Sequence, residues 1–153
     1  MMQPMSNVDL LLLDRQLCFA LYAASRAVVR AYAPLLEPLG VTYPQYLVFL
    51  VLWEQDGVAV SHLGERLALD SGTLTPLLKR LEERELIERR RSTEDERVVN
   101  VHLTADGRAL RDKATTIPLQ VAQCAGYDLT SAKDISEILR LREELISLTK
   151  RVA

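Results

Sequence analysis

The sequence predicts a mostly α-helical protein with one small β-hairpin. Two observations lead to this prediction: apolar residues recur every three or four positions along most of the chain, and the period changes to two only between Glu85 and Leu103. The 153 residues, 48% of them hydrophobic, suffice for one domain with its own core. Two short helices followed by a hairpin form a winged helix-turn-helix. We place this lobe at residues 44–104 of a single 1–153 chain, between helices at 8–33 and 105–153 that we expect to form a dimerisation domain.

The first element is predicted to be one long amphipathic helix. From Val8 to Tyr32 the chain has no glycine or proline, and apolar residues recur at spacings of three and four. Pro34 and Gly40 then break the pattern. On this prediction Cys18 lies in the middle of the helix, where stabilisation of a thiolate by a helix terminus is not available.

Three further helices are predicted in the central lobe. Thr42 offers a cap for a helix that runs to about Glu54, and Asp56-Gly57 is a turn signal. Two short helices follow and have the layout of a helix-turn-helix. Their predicted limits are a cap at Ser61 and an end near Ala68, then a cap at Asp70 or Ser71 and an end near Arg84.

The hairpin and the C-terminal helices complete the chain. Alternating residues predict strands at Glu85–Arg91 and Arg97–Leu103, joined by a polar loop, and Thr104 is the next helix cap. That helix carries an apolar stripe to Cys124 and should be kinked at Pro118. A cap at Thr130 then begins the last helix. The stripes of these helices fit a helix pair between two subunits better than packing on the core of one subunit, which is the alternative. Their residues are Leu110, Ala114, Ile117, Val121 and Cys124, then Ile138, Leu141, Leu145, Leu148 and Val152.

Composition excludes several classes of protein. The longest uncharged run has 16 residues, short of the roughly 18–20 that span a bilayer, and no signal peptide is visible, so we expect no membrane partner. Two cysteines 106 positions apart do not form a secreted disulfide scaffold or a zinc site. We therefore expect a cytoplasmic protein with no cofactor and no metal.

A DNA-binding surface is predicted from the placement of polar and basic residues rather than from net charge. The net charge is −2, and the stretch from Lys79 to Arg97 holds seven basic and seven acidic residues, so a solvated charged face is the alternative. The order of helix-turn-helix and hairpin favours DNA, with Arg97 entering a minor groove and Asp95 orienting it. The candidate DNA-binding residues are Ser71, Thr73, Thr75, Pro76, Lys79, Arg80, Arg89, Arg91, Asp95 and Arg97.

These elements, with Asp95-Glu96-Arg97 in the wing, resemble the MarR family of dimeric winged-helix regulators. The segments Leu17–Tyr22, Leu39–Tyr46 and Leu69–Pro76 are similar to the branch of that family that senses organic hydroperoxides. The resemblance covers roughly residues 14–107 and is weaker afterwards. It implies a homodimeric repressor on a palindromic double-stranded DNA operator, released when an organic hydroperoxide oxidises a cysteine.

Within this resemblance Cys18 is the sensing thiol, although a buried structural cysteine is the commoner fate of a free thiol. The resemblance implies that the hydroxyls of Tyr32 and Tyr43 contact it. Tyr32 lies 14 residues from Cys18, about 21 Å along an unbroken helix, so those tyrosines must belong to the partner subunit. Phe19 and Tyr22 make the surroundings apolar, which suits an organic peroxide, and Arg15 is a nearby cation.

Cys124 matches in location the second, resolving cysteine of some members of this branch. A disulfide with Cys18, between subunits rather than within one, would then move the helices that carry the winged lobes and release DNA. Three other interpretations remain: a regulator of the same fold released by a small phenolic ligand, a thiol peroxidase that uses Cys18, and a helical scaffold dimer. No nucleophile elbow or phosphate loop supports an enzyme, and the scaffold leaves the wing unexplained.

Overall fold

The computed structural model describes residues 9–153 and shows seven helices and three short strands in that range. Two 3-10 turns, Asp9–Leu11 and Leu13–Arg15, precede α1. The mostly helical prediction with one small sheet is confirmed. In chain order the elements are α1 Leu17–Leu36, α2 Tyr43–Glu54, β1 Val58–Ala59, α3 Val60–Leu67, α4 Ser71–Glu83, β2 Ile87–Arg91, β3 Val99–Leu103, α5 Ala105–Ala114, α6 Ile117–Cys124 and α7 Ala132–Val152.

The prediction of one helix from Val8 to Tyr32 is wrong, although Val8 itself lies outside the described residues. The α-helix begins only at Leu17, because Gln16 is extended with φ −87° and ψ 107°. The Gln16 side-chain amide donates to the carbonyl oxygens of Leu10 and Leu12 and stabilises the preceding turns instead. Cys18 is therefore the second residue of α1, and the expectation that it lies in the middle of a helix is also wrong.

Local capping chemistry sets the limits of the helices in the central lobe. Thr42 and Gln45 form a reciprocal capping box at the start of α2. Asp70, not Ser71, caps α4, and its carboxylate accepts from the Thr73 amide at 2.8 Å. Ser61 does not cap α3, since that helix already begins at Val60 and its N-cap residue, Ala59, forms no side-chain hydrogen bond.

The sheet has the strand order β1-β3-β2, with both pairs antiparallel. The hairpin aligns Ile87 with Leu103 and Arg91 with Val99, which confirms the two predicted strands with later starts. Strand β1, which pairs Val58 with Val101, was not predicted. Thr104 caps α5 as predicted, with its hydroxyl oxygen accepting from the Gly107 amide at 3.1 Å.

The C-terminal segment differs from the prediction at two places. Pro118 does not kink one helix but lies in the first turn of a separate one, α6, where a missing N–H costs little. Ser131, rather than Thr130, caps α7 and accepts from the Asp134 amide at 3.3 Å. Thr130 instead donates its hydroxyl to Asp128 at 2.7 Å.

The buried core lies inside the winged lobe, between α2, α3, α4 and the sheet, and α5 and the start of α6 close it with Leu110, Ala114 and Ile117. The prediction that these three residues belong to a stripe between subunits is therefore wrong, because they pack on the core of their own chain. Helix α7 has no buried residue, and α1 buries only Leu36 within the described chain. Large apolar side chains on these two helices are exposed, among them Phe19, Val28, Leu139 and Leu141. The most fully buried large side chains are Tyr46, Phe49, Leu36, Leu52, Leu63, Leu74, Leu78, Leu81, Ile87, Val48 and Val101.

No single helix within residues 9–153 is long and apolar enough to cross a membrane. One pair, Leu17–Leu39 with Tyr43–Glu54, reaches the required length and composition only when its two parts, bent by 69°, are taken together.

Candidate functional site

The N-terminal half of α4 presents a polar surface to solvent. Asp70 caps the helix, and the Thr73 hydroxyl donates to the Asp70 carboxylate at 3.3 Å, which orients the first turn. The apolar side of the helix, with Leu74 and Leu78, is buried. All six residues predicted on this helix are exposed: Ser71, Thr73, Thr75, Pro76, Lys79 and Arg80.

The wing tip holds an exposed arginine beside an acidic partner. The Asp95 carboxylate accepts from the Arg97 amide at 3.0 Å and from Arg97 Nε at 3.1 Å. These hydrogen bonds, the side-chain bond first, hold the pKa of Asp95 below its usual range. The Arg97 side chain is 91% exposed, so the loop orients the guanidinium without covering it.

Arg89 lies in a different environment from the other predicted DNA-binding residues. Its side chain is 28% exposed and forms an ion pair with Glu82 at 2.7 Å, whereas Arg91 at the end of β2 is exposed. The Arg89 side chain and amide hold the pKa of Glu82 below its usual range. Arg89 also lines a cleft of about 300 Å³ between α3, α4 and the wing, together with Thr75 and Arg97.

Cys18 is exposed in the first turn of α1. The first-turn amides of an α-helix have no partner within the helix, and they point towards its N-terminal end. A helix N-terminus favours negative charge. Cys18 therefore lies at the N-terminal end of α1 rather than in the middle of a helix, where the sequence prediction had placed it.

Tyr22 and Arg26 continue the Cys18 face of α1. Tyr22 follows Cys18 by one turn, and the guanidinium carbon of Arg26 lies 5.3 Å from the centre of its ring. Arg26 Nη1 is 3.4 Å from the Tyr22 hydroxyl oxygen. Sequence reasoning named Arg15 as the nearby cation and missed Arg26, although Arg26 is one further turn along the same face. Arg15 and Phe19 are exposed.

Three tyrosines form a cluster where α1 meets α2. The ring centroids of Tyr32 and Tyr43 are 4.6 Å apart, and those of Tyr32 and Tyr46 are 5.7 Å apart. Burial, with smaller contributions from Tyr43 and Tyr46, raises the pKa of Tyr32 to about 12. Burial also raises the pKa of Tyr43 and of Tyr46. The three hydroxyls therefore remain protonated at neutral pH and can donate hydrogen bonds.

The thiol and the tyrosine cluster are far apart within one chain. Helix α1 runs unbroken from Leu17 to Leu36, so the 14 residues between Cys18 and Tyr32 correspond to about 21 Å along its axis. No contact between the two is possible without a second subunit. Within residues 9–153, no group of three or more His, Cys, Asp or Glu side chains is arranged to hold a metal ion.

Cys124 is exposed at the last position of α6. Beside it lies an apolar groove of about 530 Å³ between α6 and α7 that reaches Tyr32. Both cysteines are free thiols in this structure. The groove is lined by Tyr32, Pro118, Val121, Ala122, Ala125, Tyr127, Leu129, Ile138, Leu141, Arg142, Leu145 and Ile146.

The chain is similar to known transcriptional regulators. A family model described as transcriptional regulator SarA/Rot matches residues 30–114. The chain is 52% identical over 131 residues to the organic hydroperoxide resistance transcriptional regulator of Bacillus subtilis, which covers 84% of this chain and 89% of that protein. Reduced AbfR bound to DNA, from Staphylococcus epidermidis, is 34% identical and has a TM-score of 0.75 over 92% of this chain and 94% of its own. Disulfide-formed AbfR, also 34% identical, has a TM-score of 0.61 over 92% and 91% of the two chains.

Proposed function

Because the chain belongs to the MarR family of winged-helix transcriptional regulators, and within it to the organic hydroperoxide resistance regulators, we propose that it is a homodimeric repressor whose DNA binding is switched off by oxidation of Cys18. It is a regulator and not an enzyme. The observation that carries the proposal is the separation of Cys18 from the tyrosine cluster. Each subunit supplies Cys18 to one sensor and the tyrosine cluster to the other, so a dimer contains two complete sensors.

DNA binding is assigned to α4 and the wing. In a two-fold dimer, two recognition helices about 34–36 Å apart fit successive major grooves, so the operator is palindromic. The exposed hydroxyls at the start of α4 reach base edges and phosphates, and Arg97 enters the adjacent minor groove. The exposed apolar faces of α1 and α7 supply the subunit interface, since isolated helices with such faces need a partner to cover them.

The first chemical step takes place at Cys18. The thiolate, stabilised by the first-turn amides and by the hydroxyls of the partner's Tyr32 and Tyr43, attacks the distal oxygen of the hydroperoxide. An S–O bond forms as the O–O bond breaks, and the alkoxide takes up a proton and leaves as the alcohol. Cys18 is then a sulfenic acid. Phe19, Tyr22 and the apolar groove favour an organic peroxide over hydrogen peroxide.

The second step is a disulfide with Cys124 of the other subunit. The Cys124 thiolate attacks the Cys18 sulfur, the S–S bond forms, and the hydroxide that leaves takes up a proton to become water. The two cysteines together supply the two electrons that reduce the peroxide. A disulfide needs Cα atoms within roughly 4.4–6.8 Å, so forming it pulls α1 and α6 together and changes the spacing of the two winged lobes. A disulfide within one subunit is the alternative outcome.

The test is fluorescence anisotropy on DNA from the protein's own promoter region. We expect the reduced protein to bind, to be released by one equivalent of an organic hydroperoxide, and to bind again after a thiol reductant. Cys18→Ser should bind and ignore the peroxide, while Cys124→Ser should still form the sulfenic acid. Release of Cys18→Ser by peroxide would refute the thiol switch. Non-reducing electrophoresis distinguishes a disulfide between subunits from one within a subunit.

A second candidate trigger is a small phenolic ligand, favoured by the apolar groove with Tyr32 and Tyr127 among its lining residues. This trigger predicts release of DNA by the phenol alone and an unchanged response in Cys18→Ser. A titration of both proteins with salicylate, as the probe phenol, separates the two mechanisms.

A further inference from the structure

Strand β2 lies at the edge of the sheet, next to the C-terminal end of α4. An edge strand exposes backbone N–H groups that no neighbouring strand satisfies. Here the Arg89 amide donates to Glu82 Oε1 at 2.9 Å. The carboxylate of Glu82, on α4, therefore accepts the hydrogen bond that a fourth strand would otherwise accept from this amide.

The same carboxylate also binds the side chain of Arg89. Arg89 Nε donates to Glu82 Oε2 at 3.1 Å, and Arg89 Nη2 donates to it at 2.7 Å. Backbone and guanidinium thus hold both oxygens of Glu82. The side chains are only 28% and 37% exposed, so this pair is better shielded from solvent than the other ion pairs of the wing.

We propose that Arg89 and Glu82 form a clamp that fixes the angle between the wing and α4, and that Arg89 serves DNA binding by positioning the wing rather than by contacting phosphate. The proposal rests on the DNA binding proposed above. It concerns how α4 and the wing are held for simultaneous contact with adjacent grooves. Three of the donor groups of Arg89 already point at Glu82. The other arginines of the hairpin, Arg90, Arg91 and Arg97, are exposed and form no ion pair with α4.

The clamp and simple electrostatics predict opposite signs for removal of Glu82. A carboxylate beside DNA repels phosphate, so charge alone predicts tighter binding by Glu82→Ala. The clamp predicts weaker binding, by roughly three- to tenfold, which is the scale of a partly buried ion pair with charge-assisted hydrogen bonds. Glu88→Ala is the matched control, because Glu88 lies on the same hairpin and pairs with Arg90 on its own strand, not with α4. It should bind as tightly as the unaltered protein or more tightly.

Salt dependence separates positioning from phosphate contact. Each phosphate contact adds about 0.9 to the slope of log K against log salt concentration. We expect Arg89→Gln to bind more weakly with an unchanged slope, while Arg97→Gln lowers the slope by about 0.9. The double variant Glu82→Ala/Arg89→Gln should lose no more affinity for DNA than the single variant that binds DNA more weakly. A lowered slope in Arg89→Gln, or tighter binding by Glu82→Ala, would overturn the clamp.

Hydrogen exchange of the Arg89 amide tests the clamp without DNA. This amide should lose protection in Glu82→Ala and keep it in Glu88→Ala, with the Tyr46 and Phe49 core amides protected in both as a check on folding. Unchanged protection in Glu82→Ala would refute the clamp. If the unaltered protein fails to bind promoter DNA while the exchange result holds, the proposed function fails and the clamp does not.

Discussion

Asp56 joins the end of α2 to the wing and to α5, and its replacement by asparagine should destabilise the protein measurably. The Asp56 carboxylate accepts from the Leu103 amide at 2.8 Å, from the Gly57 amide at 2.9 Å and from Arg108 Nη2 at 2.6 Å. An asparagine side chain there would keep one acceptor oxygen, but its NH2 group would replace the other oxygen and face one of the groups that donate to Asp56. Hydrogen bonds to charged groups contribute about 1.5–3 kcal/mol each. Because the side chain is 30% exposed, we expect Asp56→Asn to lower the free energy of unfolding by only about 1–3 kcal/mol in all.

Acid should remove this difference. Burial raises the pKa of Asp56, but hydrogen bonds from Leu103, Arg108 and Gly57 outweigh it and hold the pKa below its usual value. A carboxylate with a lowered pKa in the folded state stabilises fully above its unfolded pKa of about 3.9 and loses that contribution as pH falls through the folded value. The gap between the unaltered protein and Asp56→Asn should therefore be complete at pH 7 and shrink below about pH 4.

The assay is urea unfolding followed by the fluorescence of Trp53, the only tryptophan, at one fixed protomer concentration. Glu54→Gln is the control, because Glu54 ends α2 and pairs with Arg66 at 2.8 Å with both side chains exposed. Such a pair contributes less than about 1 kcal/mol. Equal stability of Asp56→Asn and the unaltered protein at pH 7, or a gap that persists undiminished in acid, would refute the reasoning.

Three further predictions follow from packing and charge. Gly107→Ala should lower the melting temperature and the free energy of unfolding by about 1–3 kcal/mol, because a Cβ there would lie 2.1 Å from the Leu86 carbonyl oxygen; a calorimetric scan equal to that of the unaltered protein would contradict this. Tyr32→Phe should slow sulfenic acid formation at Cys18 roughly tenfold, because it removes a hydroxyl donor; trapping of the sulfenic acid and mass spectrometry measure the rate. In the unaltered protein burial raises the pKa of Tyr32 to about 12, so raising the pH to 9 should not ionise this hydroxyl or slow the reaction. Leu145→Glu on the exposed face of α7 should yield monomers in sedimentation and weaken DNA binding at least about tenfold, whereas Lys150→Glu near the end of that helix should remain dimeric.

The parts of the fold that were predictable are those whose chemistry is local. Thr42 and Gln45, three residues apart, form reciprocal hydrogen bonds at the start of α2. Thr104 accepts a hydrogen bond from the Gly107 amide, also three residues away, at the start of α5, so both helix starts can be predicted from the sequence. The start of α1 was not visible. The run Leu10–Leu13 is compatible with a continuous helix, but the Gln16 side chain donates to two carbonyl oxygens behind it and so stabilises separate turns before α1. Strand β1 was missed because its two residues pair with Asn100 and Val101, about 40 positions later.

The candidate site shows the same division. Asp95 and Arg97 are two residues apart, and the predicted contact between them is present. The Glu82–Arg89 pair spans a chain reversal that depends on Glu85 adopting φ +56°, a left-handed conformation that no glycine signals. The sequence therefore placed Arg89 among the candidate DNA-binding residues and did not predict its pairing with Glu82. The approach of Tyr32 to Tyr43 depends on the bend between α1 and α2, so their proximity was expected from the family resemblance and not from spacing.

The position of Cys18 links sensing to assembly. Cys18 lies at the start of a 20-residue helix, and Tyr32 lies near the end of the same helix. The thiol of one subunit can contact the tyrosine of the other only when the two α1 helices run antiparallel beside each other. In such a pair the two thiols lie at opposite ends and each meets the other subunit's tyrosines, so one two-fold axis generates two sensors and, through the winged lobes, two DNA half-sites. On the proposed function, dilution that separates the subunits must therefore abolish tight DNA binding and the tyrosine contribution to peroxide reactivity together, since the same interface supports both.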